Sequence, residues 1–312
     1  MAYIDTLAAL CGTSIDAGTA LALASLGLLL NERSGVVNLG AEGMMLVGAL
    51  AGFATTVHTQ QSVLGFVAAA LAGAALAAVF GVLVIWLDTN QYATGLAASL
   101  LGAGVSAFAG VPYTRETLGK HAAHAIGALA DLPGLGPAFF RHDWLVYAAA
   151  LLAIALHCLL LYTRAGLVVR GVGESPETAH ALGYPVRRIR LACVATGGAL
   201  CGVAGAYLSV VYTPLWAEGM TAGKGWIALA LTTFATWKPL RVLLGAYLFG
   251  AITMLQLHLQ GEGVRVPSQL LAMSPYLATI LVLVLISRGP AKLRGSIPAS
   301  LGKPFTPGAR TT

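Results

Sequence analysis

Three histidines are the first residues whose types and spacing could do chemistry. His121 and His124 stand three apart in the stretch HAAH, with His142 further along. Imidazoles so placed are raw material for a zinc site, but no cysteine or fixed carboxylate completes a ligand set, and ordinary loop polarity is the plainer reading. GMTAGKGW (219–226) has the outline of a phosphate-binding loop. Only three residues separate Gly219 from Gly223, however, and Gly225 stands where a hydroxyl is required. GVGESP (171–176) begins as a dinucleotide fingerprint does, yet proline fills its sixth position and no strand–helix–strand unit frames it. His157 and His258 fall near the ends of apolar stretches, where interfacial water would reach them. Cys11, Cys158, Cys193 and Cys201 form no CxxC pair and read as small hydrophobes. The sequence therefore assigns no catalytic residue, no metal site and no ATP site. It also lacks the intramembrane chain of acids and bases that a proton-driven carrier would need.

The elements that carry these residues are apolar. Of 312 residues, 57% are hydrophobic and 10% charged, with a mean hydropathy of +0.80. A soluble domain carries about 25% charged residues, so this chain cannot cover itself in water and reads as an integral membrane protein. The N-terminus shows no basic region or small-residue cleavage site ahead of its first apolar run, which reads as a retained helix.

A crossing helix needs about 20 apolar residues. Segments 62–87, 144–162, 189–212, 240–259 and 266–287 meet that standard, and 6–30, 36–57, 92–110 and 222–237 meet it less fully. The expectation is an all-α polytopic bundle of about nine helices (eight to ten); the alternating pattern of a barrel is absent. Gly198–Gly202, Gly219–Gly223 and Ala98–Gly102–Ser106 give the small-residue spacing that lets helices approach in lipid.

Orientation follows from lysine and arginine. The loop 163–190 holds Arg164, Arg170, Arg187, Arg188 and Arg190, and the tail beyond Arg288 adds Lys292, Arg294, Lys303 and Arg310. Both are expected to be cytoplasmic, which leaves the N-terminus and the loop 111–143 outside. The +6 net charge is thus a topology signal; a nucleic-acid surface would need a clustered basic face interleaved with aromatics. One transmembrane domain is expected over 1–288, with a cytoplasmic tail, 289–312, read as unstructured.

Two polar stretches stand out against this background. In GVGESPETAHALGYPVRRIR (171–190), Ser175 is a suitable N-cap, Pro176 suits the first helical position, and Glu177 falls in the first turn. A short helix from Pro176 to Leu182 is expected to stop at Gly183, with Pro185 blocking continuation. Arg187, Arg188 and Arg190 would then anchor the next crossing at the phospholipid interface. In NERSGVVNLGAEGMMLVGALAGF (31–53), Asn38 and Glu42 lie on one face of a helix that enters the bilayer. An acid there must face protein or a watery path. Two roles compete: Glu42 caps the backbone of a broken helix, or Asn38 and Glu42 line a translocation path together with Gln91, Thr94 and Ser99. Trp226, Phe234 and Trp237 could stack on a flat solute, though Trp237 beside Lys238 reads first as an interfacial anchor.

The loop resembles the cytoplasmic coupling loop of ABC importer permeases, in the group serving branched-chain amino acids, simple sugars and nucleosides. Gly173, Pro176, Ala179 and Gly183 match the usual G-x-N-P-x-A-A-x-x-x-G-I; Ser175, Thr178 and Tyr184 depart from it. Residues 31–53 are similar to the segment after the first helix in nucleoside and simple-sugar permeases, through Asn31, Glu32, Arg33, Gly35, Asn38, Gly40, Glu42, Gly43 and Met44. The resemblance implies a permease subunit in the bacterial cytoplasmic (inner) membrane, paired with a second permease, identical or homologous. Cytosolic ATPases would engage a coupling loop (163–188) through Gly173, Glu174, Ser175, Pro176, Glu177, Ala179 and Gly183. ATP and Mg would be used by those ATPases, and no cofactor would be bound directly. An external binding protein would deliver the solute: nucleoside first, simple sugar next, branched-chain amino acid third. The rival reading is a self-contained secondary carrier or channel, which would need coupling residues near the midplane.

Overall fold

A computed structural model describes residues 2–119, 124–125, 135–261 and 297–306, with scattered positions between 273 and 284. The described chain is a helical bundle: α1 (Ala2–Arg33), α2 (Ala41–Thr59), α3 (Ser62–Ile85), α4 (Gln91–Gly110), α5 (Leu135–Phe139), α6 (Trp144–Tyr162), α7 (Arg164–Glu174), α8 (Pro176–Ala181), α9 (Val186–Ala206), α10 (Lys224–Phe234) and α11 (Pro239–Gly261). Its two short strands, β1 (His124–Ala125) and β2 (Arg141–His142), pair antiparallel with His124 opposite His142. This ladder lies within the loop 111–143, which carries all three candidate histidines. His121 lies outside the described residues, and no group of three metal-ligating side chains occurs among those described.

Six helices are long and apolar enough to cross a membrane: Ala8–Arg33, Ser62–Ile85, Gln91–Tyr113, Trp144–Tyr162, Val186–Tyr212 and Pro239–Gly261. The expected count of nine is not reached among the described residues. α2 begins with Glu42 in its first turn and ends with His58 in its last, which dilutes its 19 residues. The expected crossing 222–237 is instead an 11-residue helix, α10, about 16 Å long and so half the thickness of a bilayer core. The segment 266–287 lies almost wholly outside the described residues.

Small residues set the packing. α2, α3 and α9 meet where Gly48 faces Gly202 and Gly73 faces Gly198. A Cβ on Gly102 would sit 2.5 Å from Gly43 Cα, and one on Gly43 would sit 2.6 Å from Ala98 O. The row Ala98–Gly102–Ser106 therefore lies against α2, and Ser106 Oγ donates to Leu46 O at 3.2 Å. Gly219 and Gly223 do something else. Their φ angles of 65° and 81° place them in a turn, so their spacing serves chain reversal rather than helix contact. The outer faces stay apolar: Leu71, Leu100, Phe108, Leu151 and Leu244 are each at least two-thirds exposed, as suits a bundle solvated by lipid tails.

α9 loosens at its end into a π-helical turn, Tyr207–Tyr212, which Ser209 Oγ ties to Ala49 O at 2.8 Å. Arg33, the coupling-loop arginines and Lys238–Arg241 gather at one end of the bundle, called here the basic end. The hairpin and the π turn lie at the opposite end. Residues 297–306 of the tail, expected to be unstructured, pack onto α7, α8 and α9.

Candidate functional site

The polar residues of 31–53 meet α10. Past α1, Gly35 turns the chain with φ 92°, and residues 36–38 carry no regular structure before a turn at 39–40 leads into α2 at Ala41. Such backbone within a bundle needs partners, and nearby side chains supply them. Gln91 Oε1 accepts from Val37 N at 2.8 Å, Ser99 Oγ donates to Leu39 O at 2.7 Å, and Asn38 Oδ1 accepts from Gly40 N at 3.0 Å.

Glu42 answers a second break. The segment 213–223 leads into α10 without helical hydrogen bonding of its own, so the first N–H groups of α10 have no intrahelical partner. Glu42 Oε1 accepts from Gly223 N at 2.9 Å and from Thr221 Oγ1 at 2.5 Å, and Oε2 accepts from Gly225 N at 2.7 Å. A carboxylate across a helix N-terminus also suits the helix dipole. Of the two roles the sequence left open for Glu42, this geometry fits the capping one. Thr94 hydrogen-bonds Thr89 at 2.9 Å, at the start of α4 and away from this node.

The other end of α10 is held by residues that sequence reasoning read differently. Trp237 is 3% exposed, so it is not an interfacial anchor. Its indole N–H donates to Glu32 Oε2, which also accepts from Thr232 Oγ1 at 3.0 Å. Arg33 Nε and Nη2 donate to Trp237 O at 3.2 and 2.9 Å. Thr236 and Trp237 both adopt positive φ, 51° and 53°, conformations costly for residues with a Cβ. The grip of Glu32 and Arg33 offsets that strain at the join between α10 and α11. Phe234 is buried, and Trp226 is 37% exposed.

At the basic end residues 164–181, where the sequence suggests a coupling loop, form two helices. α7 ends at Glu174. α8 then starts at Pro176 with Ser175 as its cap: Ser175 Oγ accepts from Thr178 N at 3.4 Å and bonds Thr178 Oγ1 at 2.7 Å. Gly183, at φ 89°, ends the turn, and Tyr184 N returns to Ala179 O at 3.1 Å. Gly173, Pro176 and Ala179 are buried, whereas Glu174, Glu177 and Gly183 are exposed. Between α7 and α8 lies a groove of about 320 Å³ whose lining includes Leu167, Glu174, Thr178, Leu182 and Tyr184. Leu167 and Leu182 are 62% and 72% exposed.

The loop is tied down from within. Arg190, expected at the phospholipid interface, is only 3% exposed. Its guanidinium donates to Ser34 O (3.1 Å), Lys303 O (3.3 Å) and Ser300 Oγ (3.0 Å). Ser300 in turn donates to Gly173 O through Oγ (2.7 Å) and N (3.0 Å), and Gly302 N donates to Gly35 O at 3.1 Å. Phe305 completes an apolar cluster with Val172, Ala179 and Val186. The turn after α1, the coupling helices, α9 and the tail therefore form one polar-and-apolar clasp. A run of arginines at a crossing gave no sign that its last member turns inward.

At the opposite end, His142 Nδ1 lies 2.8 Å from Asp16 Oδ1, and Nε2 lies 3.0 Å from Ala138 O. Both ring nitrogens face acceptors, a pattern that fits the doubly protonated ring. Burial alone would lower the pKa of His142, but the hydrogen bond to Asp16, the Ala138 carbonyl and the charge of Asp16 outweigh it and raise the pKa above 6.5.

A helical bundle with glycine-packed crossings, a half-length helix capped by a carboxylate from a neighbouring helix, and an exposed helical loop at the basic end is the build of a multi-pass membrane permease. The chain belongs to the family described as branched-chain amino acid transport system / permease component, whose model matches residues 13–287. It is 41% identical over 317 residues to a Haloferax volcanii protein provisionally named a glucose ABC transporter permease, covering 94% of this chain and 96% of that one. It is 31% identical over 301 residues to a nucleoside ABC transporter permease of Lactococcus lactis (91% and 94% covered). A guanosine ABC transporter permease of Bacillus subtilis is 30% identical over 321 residues (97% and 100% covered). These relatives are transporter components rather than enzymes. No solved structure matches.

Proposed function

We propose that the chain is the membrane-spanning permease subunit of an ATP-driven importer for a neutral, ring-shaped polar solute, a nucleoside or a simple sugar. The basic end would face the cytoplasm of a bacterial cell, across the cytoplasmic membrane. The observation that carries this reading is the α7–α8 groove, where exposed leucines and Glu174 sit on a surface clasped to α1 and α9. A push on α8 is delivered through Gly173, Ser300 and Arg190 to two long helices at once. Such a surface suits a cytosolic ATPase, which would use the ATP and Mg; this chain would bind neither.

The relatives named for glucose and for nucleosides support a hydroxylated ring as cargo and divide on which one. The sequence expectation put nucleosides first. The shared chemistry, a sugar ring, is the level at which the proposal stands. Asn38, Glu42, Gln91 and Ser99 act in it as supports for broken backbone, because Asn38 Oδ1, Gln91 Oε1, Ser99 Oγ and both Glu42 carboxylate oxygens are engaged by residues 37–40 and 221–225. A second permease subunit and an external solute-binding protein complete the assembly.

Mild-detergent purification of the tagged chain with mass spectrometry tests this. A stoichiometric ATPase is expected, and its loss in the Glu174→Arg/Glu177→Arg double reversal, with normal membrane insertion, would place contact at the groove. Transport by the chain alone, without ATP, would overturn the reading.

A further inference from the structure

At the basic end of the bundle the last turn of α3 meets the first turns of α9. A Cβ on Gly81 would lie 2.7 Å from Leu191 Cδ1, so the two helices are packed up to this level. Beyond it they part around a slot of about 230 Å³, with Trp86 on one side and Pro185 and Val186 on the other. α8 adds His180 and the tail adds Phe305, whose rings meet edge to face with centroids 5.7 Å apart.

The slot lies where two crossings stop. Ser62–Ile85 ends beside it and Val186–Tyr212 begins beside it, which places it at a membrane–water boundary. Trp86 is 38% exposed, and Val79 and Val82 are exposed on the same face of α3. An exposed tryptophan closing an apolar strip is how a crossing helix meets the headgroup layer. The strip leads along α3 to the slot.

The slot and its rim differ in chemistry. The surface turned toward the slot is almost wholly apolar, so the methylene stems of Arg187 and Arg188 line it and their guanidinium groups lie beyond. Those groups are not committed to the fold. Arg187 Nε is buried without a hydrogen-bond partner, and Arg188 is exposed. Neither arginine is ion-paired among the described residues, whereas Arg190, one turn on, is spent on the clasp. Asp88 and Glu177, the acids nearest along the chain, are not among the described walls, and the tail beyond Arg288 carries no acid. An apolar slot rimmed by free guanidinium groups suits an amphiphile with a negative head. An inorganic anion would gain nothing from the apolar part.

We propose that this slot binds an anionic phospholipid, its glycerol and upper acyl region against Trp86 and its phosphate at Arg187 and Arg188. The guanidinium fork matches phosphate oxygens, and basic pockets between crossing helices suit such headgroups. The lipid would touch α3, α8, α9 and the tail at once, and so would brace α8 from the membrane side. The inference needs the chain to lie in a membrane and involves neither the cargo nor the ATPase.

Quenching of tryptophan fluorescence by brominated lipids tests the site on the purified full chain in mixed micelles. Brominated phosphatidylglycerol should quench a saturable part of the emission at a mole fraction about twentyfold below that needed with brominated phosphatidylcholine, from about fivefold per arginine. Trp86→Phe should remove that part, which places the lipid at the slot. Arg187→Gln/Arg188→Gln should bring the two lipids level. Arg188→Gln alone, at an exposed position where folding is not at stake, should cost about fivefold. Arg164→Gln, exposed at the same end and outside the slot's described walls, should change nothing. Equal quenching by the two lipids, a saturable part that persists in Trp86→Phe, or a preference that survives loss of both arginines would overturn the proposal. So would an equal loss in Arg164→Gln, the mark of general attraction to the basic end. Displacement of the brominated phosphatidylglycerol by inorganic phosphate at matching concentration would assign the arginines to a free anion and overturn the lipid.

Discussion

Glu42 and Gly225 are in direct contact across 183 residues of chain: Glu42 Oε2 accepts from Gly225 N at 2.7 Å, and a Cβ on Gly225 would lie 2.5 Å from Glu42 N. The contact needs an acid on one side and no side chain on the other. It joins the start of α2 to the start of α10, two places where helices of the bundle are interrupted.

Removing the acid should therefore loosen α10. Glu42→Ala leaves the N–H groups of Gly223 and Gly225 unpaired, and the expected loss is on the order of 3 kcal/mol, from two charge-assisted bonds. Denaturant unfolding in mixed micelles reads it. Glu42→Gln, which keeps one acceptor, should fall between Ala and wild type. Equal stability for all three would show that the cap contributes nothing.

The glycine seam gives a sharper contrast, because one helical glycine serves as its control. Gly104 in α4 has open space where a Cβ would go, so Gly104→Ala should be neutral or slightly stabilising. Gly48→Ala places a methyl group against the backbone of Gly202 and forces α2 away from α9. Lower yield of folded protein and a melting temperature reduced by several degrees, on the order of a 2 kcal/mol loss, are expected for Gly48→Ala alone. Size-exclusion profiles and thermal melts of both variants decide it.

The Asp16–His142 pair predicts a pH dependence with a definite sign. The folded-state pKa of His142 is raised above 6.5, so the pair's contribution is fully present below pH 6.5 and is lost as pH climbs through the folded value. Asp16 from α1, Arg141 and Asp143 beside it in the chain, Tyr147 from α6, and Tyr207 and Tyr212 from the π turn surround the ring. The melting-temperature difference between wild type and His142→Gln should shrink between pH 6 and pH 9. A constant difference would mean that the ring is neutral throughout.

The clasp at the basic end predicts that the tail stiffens α7 and α8. Phe305→Ala deletes the side chain that closes the cluster with Val172, Ala179 and Val186, at a local cost of about 3 kcal/mol. Ser300→Ala removes one acceptor from Arg190 and one donor to Gly173. Hydrogen exchange across 164–182 should accelerate in both variants, while α3 and α6 keep wild-type rates. Unchanged exchange would mean that α7 and α8 are held by α9 alone.

What could be read from the sequence divides along chain separation. The short helix α8 was legible because its determinants are local: a capping serine, a proline at the first position and a glycine that accepts positive φ. Asn38 and Glu42 were legible as polar groups out of place in an apolar segment. Their partners were not, because nothing in residues 221–225 announces that its N–H groups lack helical acceptors. α10 illustrates the same limit. Its composition is as apolar as a crossing, and only the irregular backbone of 213–223 makes it half a crossing. Trp237 beside Lys238 has the composition of an interfacial anchor, yet Glu32 and Arg33 draw it inside. Arg190 sits in a basic run that reads as a topology signal, and its guanidinium finds acceptors at Ser34, far earlier in the chain, and in the tail, more than a hundred residues on.

The clasp also has a bearing on how the protein is made. Gly35, Gly173, Arg190 and Phe305 come from four separate stretches, and the last is synthesised more than a hundred residues after the coupling helices. Until the ribosome has passed residue 305, Val172 and Ala179 lack their cover and Arg190 lacks two of its three acceptors. The surface of α7 and α8 is thus finished late in translation, and if an ATPase docks there as proposed, one that recognises its finished shape would pass over nascent or truncated chains.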